Sequence, residues 1–211
     1  EFAVVAVAPG NTDVYITPTA NTAYGSDGVT PVISAGETKH ISLKQGQVYY
    51  LRAGSTTSDL SGTGIYANKE VAVFTGGQNA VIPQDNTLSF DHIFEQAVPL
   101  RFYGEKFALT TAELYEYTYA RITAISDSTE VTVTGKKMKD PLMKNQTCDV
   151  KIKSEGAWIE TSNPAICYSY FTSGGENDRI EAVDGNEYKF GDPSMVYIAP
   201  IEQGLDEINI A

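Results

Sequence analysis

The chain has 211 residues, 42% of them hydrophobic and 20% charged, and its formal net charge is −12. This composition is globular rather than disordered, and a chain of this length buries a core without metal or disulfide support. Its negative surface repels phosphate backbones and anionic headgroups, which excludes nucleic acid as an expected partner, and no run of about 18 apolar residues offers a membrane span.

In chain order the periodicity is that of strands. VVAVA, DVYIT, QVYYLR, VAVFT, YTYARITAI, EVTVTG, CDVKIK, AWIET, ICYSYF and MVYIA are short and rich in Val, Ile, Tyr and Thr, and several alternate polar with apolar residues. Between them stand PGNTD, GSDGVTP, STTSDLSGTG, TGGQN, SDST, SGGEND and VDGNE, which carry turn chemistry. Residues 110–117, TTAELYEY, are the one weak helical candidate, but Tyr115, Tyr117 and Tyr119 also fit period two and predict a strand. Many short strands with frequent turn signals predict an all-β fold of sandwich or jelly-roll type.

The two ends lie inside strand patterns and no signal peptide is present, so the chain reads as a segment of a longer protein or as one whose leader has been removed. Self-comparison predicts an internal duplication. NTDVYIT (11–17) aligns with STEVTVT (128–134), and IYANKEVAVFT (65–75) with IETSNPAICYS (159–169). FDHIFEQAVPLRFYGEKFAL (90–109) aligns with GDPSMVYIAPIEQGLDEINI (191–210), in the same order. Two β-sandwich-like units packed together are therefore expected, 1–112 and 113–211, with Asp91 matching Asp192 and Pro99 matching Pro200.

No constellation selects a catalyst. There is no GxSxG, GxGxxG or P-loop. His40 reads as a half-exposed strand histidine beside a turn. Asp91, His92 and Glu95 could be metal ligands or an acid–base set on a helical turn, but on a strand His92 and Glu95 point to opposite faces, so hydrogen bonding is their expected role. Asp91 and Asp192 are expected to cap backbone N–H groups. Glu176, Asp178, Glu181, Asp184, Glu187 and Asp192 are acidic, but their spacing does not match the twelve-residue calcium loop, so no metal and no cofactor are expected.

Cys148 and Cys167 form no CxxC pair, which argues against zinc. They are either one disulfide or two buried thiols; if the protein is exported, they are expected on adjacent strands, close enough to bridge. Asn145 begins a glycosylation acceptor pattern. Thirteen tyrosines are an enrichment in a favoured contact residue, and Tyr49 and Tyr50 must place one ring on each face of a strand.

The blocks VVAVAPGNTDVYITP, AGETKHISLKQGQVYYLR, DLSGTGIYANKEVAVFTGG, FDHIFEQAVPLRFYGEKFAL, ARITAISDSTEVTVTG, IETSNPAI and GDPSMVYIAPIEQ resemble the amino-terminal domain of the IgG Fc-binding protein family. The resemblance spans nearly the whole chain. It implies extracellular, non-catalytic recognition at a cell surface or in a secreted protein. Animal members are expected to carry cysteines near the FTGG and DHIFEQ blocks, and this chain has none there, so immunoglobulin Fc enters as a partner through the resemblance alone. The sequence therefore predicts a binding or adhesion module for a glycoprotein or glycan, with contacts in the loops STTSDLSGTG and SGGENDRIEAVDGNEY. The alternatives are a structural spacer in a long surface protein or, less favoured, a glycan-active enzyme with two close carboxylates.

Overall fold

The computed structural model describes residues 1–25, 30–83, 90–112, 115–153, 155–176, 180–183, 185–189 and 191–204. Among them every regular element is a β-strand or a single-turn 3-10 helix. The fold is all-β. The chain divides into two compact units: Glu1–Gln78 with Phe94–Val98, and Asn79–Ile93 with Pro99–Ala211.

The first unit is built on β1 (Phe2–Ala6), β2 (Asn11–Thr17), β3 (Lys39–Lys44), β4 (Val48–Leu51), β5 (Gly64–Ala67), β6 (Val71–Ala80) and β7 (Asp91–Gln96). They form two sheets, β4-β1-β6-β7 and β3-β2-β5. Alternation decides which face is buried. Phe2, Val4 and Ala6 of β1 are buried, as are Val14 and Ile16 of β2. They share one cluster with Ile33, Leu43, Leu51 and Leu60. Burying each of the larger aliphatic side chains stabilises by about 1.5–3 kcal/mol. The turn that carries the chain from β3 in one sheet to β4 in the other passes through Gly46, whose φ of +80° disfavours any side chain. The apolar faces of both sheets thus look inward, and the other face of β2 keeps Asp13, Tyr15 and Thr17.

The second unit holds β8 (Gly104–Leu109), β9 (Tyr117–Ala124), β10 (Val131–Val133), β11 (Lys136–Lys137), β12 (Thr147–Lys153), β13 (Ala157–Phe171) and β16 (Ser194–Ile198). A separate hairpin joins β14 (Ile180–Val183) to β15 (Asn186–Lys189). Strand β13 serves two neighbourhoods. Its first part pairs with β10 and β8, and its second part with β9 and β16. The register on β8 shifts between Glu160 and Ala165, around Pro164. A proline is tolerated there because an irregular stretch needs no ladder N–H. The core gathers Phe107, Leu109, Ile122, Val131, Ile152, Ile159 and Cys167.

Pairing order is the same in both units. Strands β4-β1-β6-β7 of the first match β12-β9-β13-β16 of the second. Val14 stands opposite Ala67, and Val131 opposite Thr161; Ile16 faces Ile65, and Val133 faces Ile159. Pro99 and Pro200 each precede a one-turn 3-10 helix, Leu100–Phe102 and Ile201–Gln203, with nearly equal dihedrals. The division differs from a cut at 112, because Asn79–Ile93 and Pro99 onward fall in the second unit. Strand β8 pairs with β13, and its Phe107 and Leu109 are buried in the second unit's core.

Candidate functional site

The outer face of β3-β2-β5 carries a row of rings. Register places Tyr15 opposite His40 on one side and opposite Tyr66 on the other. Direct cross-strand partners share a face, so the three side chains rise together. Tyr15 stacks on His40, with centroids 4.8 Å apart and planes at 23°. Tyr66 lies 6.0 Å from Tyr15, tilted by 43°. Tyr15 is 38% exposed and Tyr66 67%. The middle ring is therefore flanked, and Tyr66 presents the freest ring surface.

A polar row borders the rings. Asp13, two residues before Tyr15 on β2, lies on the same face, opposite Ser42. Its carboxylate accepts from Asn68 Nδ2 at 3.1 Å and lies 3.2 Å from His40 Nε2. Its backbone N–H donates to Asn68 Oδ1 at 2.9 Å. Asp13 and Asn68 thus close a ring of hydrogen bonds that fixes both side chains, and His40 holds the other carboxylate oxygen. On the far side of the rings, the hydroxyls of Thr17 and Thr38 meet at 2.8 Å.

The second unit has the same frame without the rings. Glu130 N–H donates to Ser162 Oγ at 2.9 Å, where Asp13 uses Asn68. Thr132 stands between Glu160 and Lys137, where Tyr15 stands between Tyr66 and His40. Glu130 pairs with Lys137 at 2.6 Å. The frame forms with threonine and charged residues at these places, so its backbone does not demand aromatic rings there. The second unit also has a shallow notch of about 300 Å³ beside Trp158, lined by Leu109, Thr110 and Thr134.

The residues singled out from sequence fall in several places. His40 lies on β3 with its side chain 52% exposed, inside the ring row. His92 and Glu95 lie on β7, and Asp91 accepts from the His92 backbone N–H at 2.6 Å. Among the described residues, no group of three or more His, Cys, Asp or Glu is placed to hold a metal. Asp192 is held above the usual carboxylate range by burial and by the adjacent Asp91 carboxyl. Asn145 adopts a left-handed backbone, with φ at +68°. Tyr49 packs on the core while Tyr50 is exposed and donates to the Glu1 carboxylate. Tyr117 and Tyr119 share β9, whereas Tyr115 precedes it; 113–114 lie outside the described residues.

The cysteines correct an expectation. Cys148 and Cys167 are free thiols on β12 and β13, each directly opposite Ile122 of β9. They are not on adjacent strands. Two strand spacings put them about 10 Å apart, beyond the roughly 7 Å that a bridge tolerates between Cα atoms.

The loop 55–64 is anchored by Leu60, which is buried in the first unit's core, and by the Thr63 hydroxyl donating to the Leu60 carbonyl at 2.6 Å. Of the acidic segment, Asp178 and Asp184 lie outside the described residues. The ring row on a sheet face was not anticipated, although the alternation in DVYIT and in IYAN puts Asp13 with Tyr15, and Tyr66 with Asn68. No described helix is long and apolar enough to cross a membrane.

The family model described as IgGFc binding protein matches residues 1–211. No curated protein and no solved structure matches the chain.

Proposed function

Because the chain belongs to the IgGFc-binding protein family over its whole length, we propose that it is an exported, non-catalytic module that recognises a glycoprotein or glycan. The observation that carries this reading is the ring row on β3-β2-β5. Solvent-exposed rings beside a fixed Asp–Asn pair cost the free protein apolar exposure, and the matching face of the second unit does without them. Tyrosine is enriched where proteins bind, because a stiff ring gives contact area at low entropic cost. The family resemblance supports export and a place at the cell surface or in a secretion.

The shared pairing order and the matching registers support an origin by duplication, with Asp91 corresponding to Asp192 and Pro99 to Pro200. One copy then keeps the frame while the other adds the recognition face.

Purified chain should be measured against immobilised mucin, immunoglobulin Fc and a glycan array at low and high ionic strength. Saturable binding to at least one is expected. It should persist at about 1 M salt, where screening acts over only about 3 Å, because rings and hydroxyl contacts do not depend on long-range charge. Silence on all three surfaces favours the spacer reading, and turnover of a glycan would show catalysis.

A further inference from the structure

We infer that the outer face of β3-β2-β5 is a subsite for neutral saccharides, in which one pyranose lies against the Tyr66 ring and turns its hydroxyls toward Asp13 and Asn68. The inference rests on the binding-module reading and assigns its ligand chemistry. Tyr66 is the ring with the most open surface, at 67% exposure. The C–H-rich face of a pyranose is apolar and slightly positive at its hydrogens, which suits the negative face of an aromatic ring. Asp13 and Asn68 stand one step along the same face, about 6.8 Å away at two residues of strand rise. That distance brings the hydroxyls of a stacked sugar within reach of both groups.

The polar pair is chemically matched to adjacent hydroxyls. The carboxylate already accepts from Asn68 Nδ2 and faces His40 Nε2. Two carboxylate oxygens offer about four lone-pair sites, so acceptor capacity remains for a hydroxyl donor. Asn68 Nδ2 has two hydrogens, and Asp13 uses one of them, leaving the second for a hydroxyl oxygen. The mutual bonds hold both side chains before any ligand arrives, so little rotamer entropy is lost on binding.

The size and charge of the strip exclude other occupants. Three rings across three strands span about 10 Å, the length of a disaccharide. Polar rows bound the rings on both sides, Thr17 and Thr38 on one and Ser42, Asp13 and Asn68 on the other. A stable protein partner needs about 800 Å² on each side with an apolar centre, which this narrow strip does not provide. A carboxylate beside the rings, on a chain of net charge −12, disfavours sialylated or sulfated sugars.

The test uses the full chain and immobilised neutral oligosaccharides ending in galactose, N-acetylglucosamine, mannose or fucose, with sialylated and sulfated counterparts. Saturation-transfer NMR with the same sugars reports the contact. Binding to a neutral probe is expected, weakened at least tenfold by Tyr66→Ala and by Asp13→Ala. The double variant Tyr15→Thr with Tyr66→Glu installs the residue types at the matching second-unit positions. It should keep the thermal unfolding profile and lose binding to the same degree. Neutral-sugar binding that these variants leave intact, or a preference for the anionic probes, overturns the assignment. So does binding to mucin or Fc that the variants abolish but that enzymatic removal of glycans does not, because the strip would then hold polypeptide. Mucin or Fc binding that persists in every variant refutes this site alone, whereas silence of the native chain on all surfaces refutes the module reading as well.

Discussion

Gly104 has the least room for a side chain of the described glycines in the second unit. A methyl at its Cα would lie 2.7 Å from Pro200 Cγ and 2.9 Å from Glu202 Oε2. Pro200 opens the 3-10 turn, and Glu202 accepts from the Glu105 N–H at 3.0 Å, so the turn is seated on the start of β8. Gly104→Ala should therefore destabilise by about 1–3 kcal/mol, the usual cost of overpacking. The urea midpoint reads this loss, and the loss should be smaller in a Pro200→Gly background, which removes the Cβ that the new methyl meets first. The thiols give a second outcome. Burial pushes Cys167 up to about 12 and Cys148 up to about 11. The thiolate is the reactive form, so iodoacetamide at pH 8 should label the native protein far more slowly than the unfolded one. The native rate should climb only as pH approaches these values. Mild oxidant should not join the two residues, because β9 separates them; intact-mass analysis distinguishes all of these cases. The run AICYSYF made burial of Cys167 legible in advance. That β9 would come between the cysteines was not, since strand order is a property of the assembled sheet.

Strand β8 shows where local reading stops. Its alternation in GEKFAL is visible, and Phe107 and Leu109 are buried as that pattern requires. Its partner is β13, about 50 residues on in sequence, and nothing near β8 announces the pairing. A boundary placed after residue 112 therefore cuts a strand away from the core it completes. A fragment of residues 79–211 should fold cooperatively, whereas 113–211 should lack a native unfolding transition. Losing a buried phenylalanine alone costs about 3–5 kcal/mol, and this cut also removes Leu109 and a full ladder. Circular dichroism melts of the two fragments check the expectation; equal melts would mean that β8 is dispensable. The ring row was half legible for the same reason. Period two put Asp13 and Tyr15 on one face and Tyr66 and Asn68 on another, but only the β3-β2-β5 register makes those faces continuous.

Across the whole molecule, each unit has its own apolar core and its own pair of sheet neighbourhoods. The outer face of β3-β2-β5 is free to differ from its counterpart because neither core depends on it: Tyr15, Tyr66 and His40 lie outside both buried clusters. Specialisation of one face is thus cheap in stability, and the strip variants proposed above are expected to fold. The long strand β13 bears on a different hazard. Its segment ICYSYF is uncharged, aromatic and rich in strand-forming residues, the composition that feeds cross-β aggregation when exposed. In the native molecule β9 covers one edge of that segment and β16 the other. Filament seeding by this stretch must therefore await the release of one of those two strands, which ties the protein's shelf life at high concentration to how rarely β9 or β16 peels away.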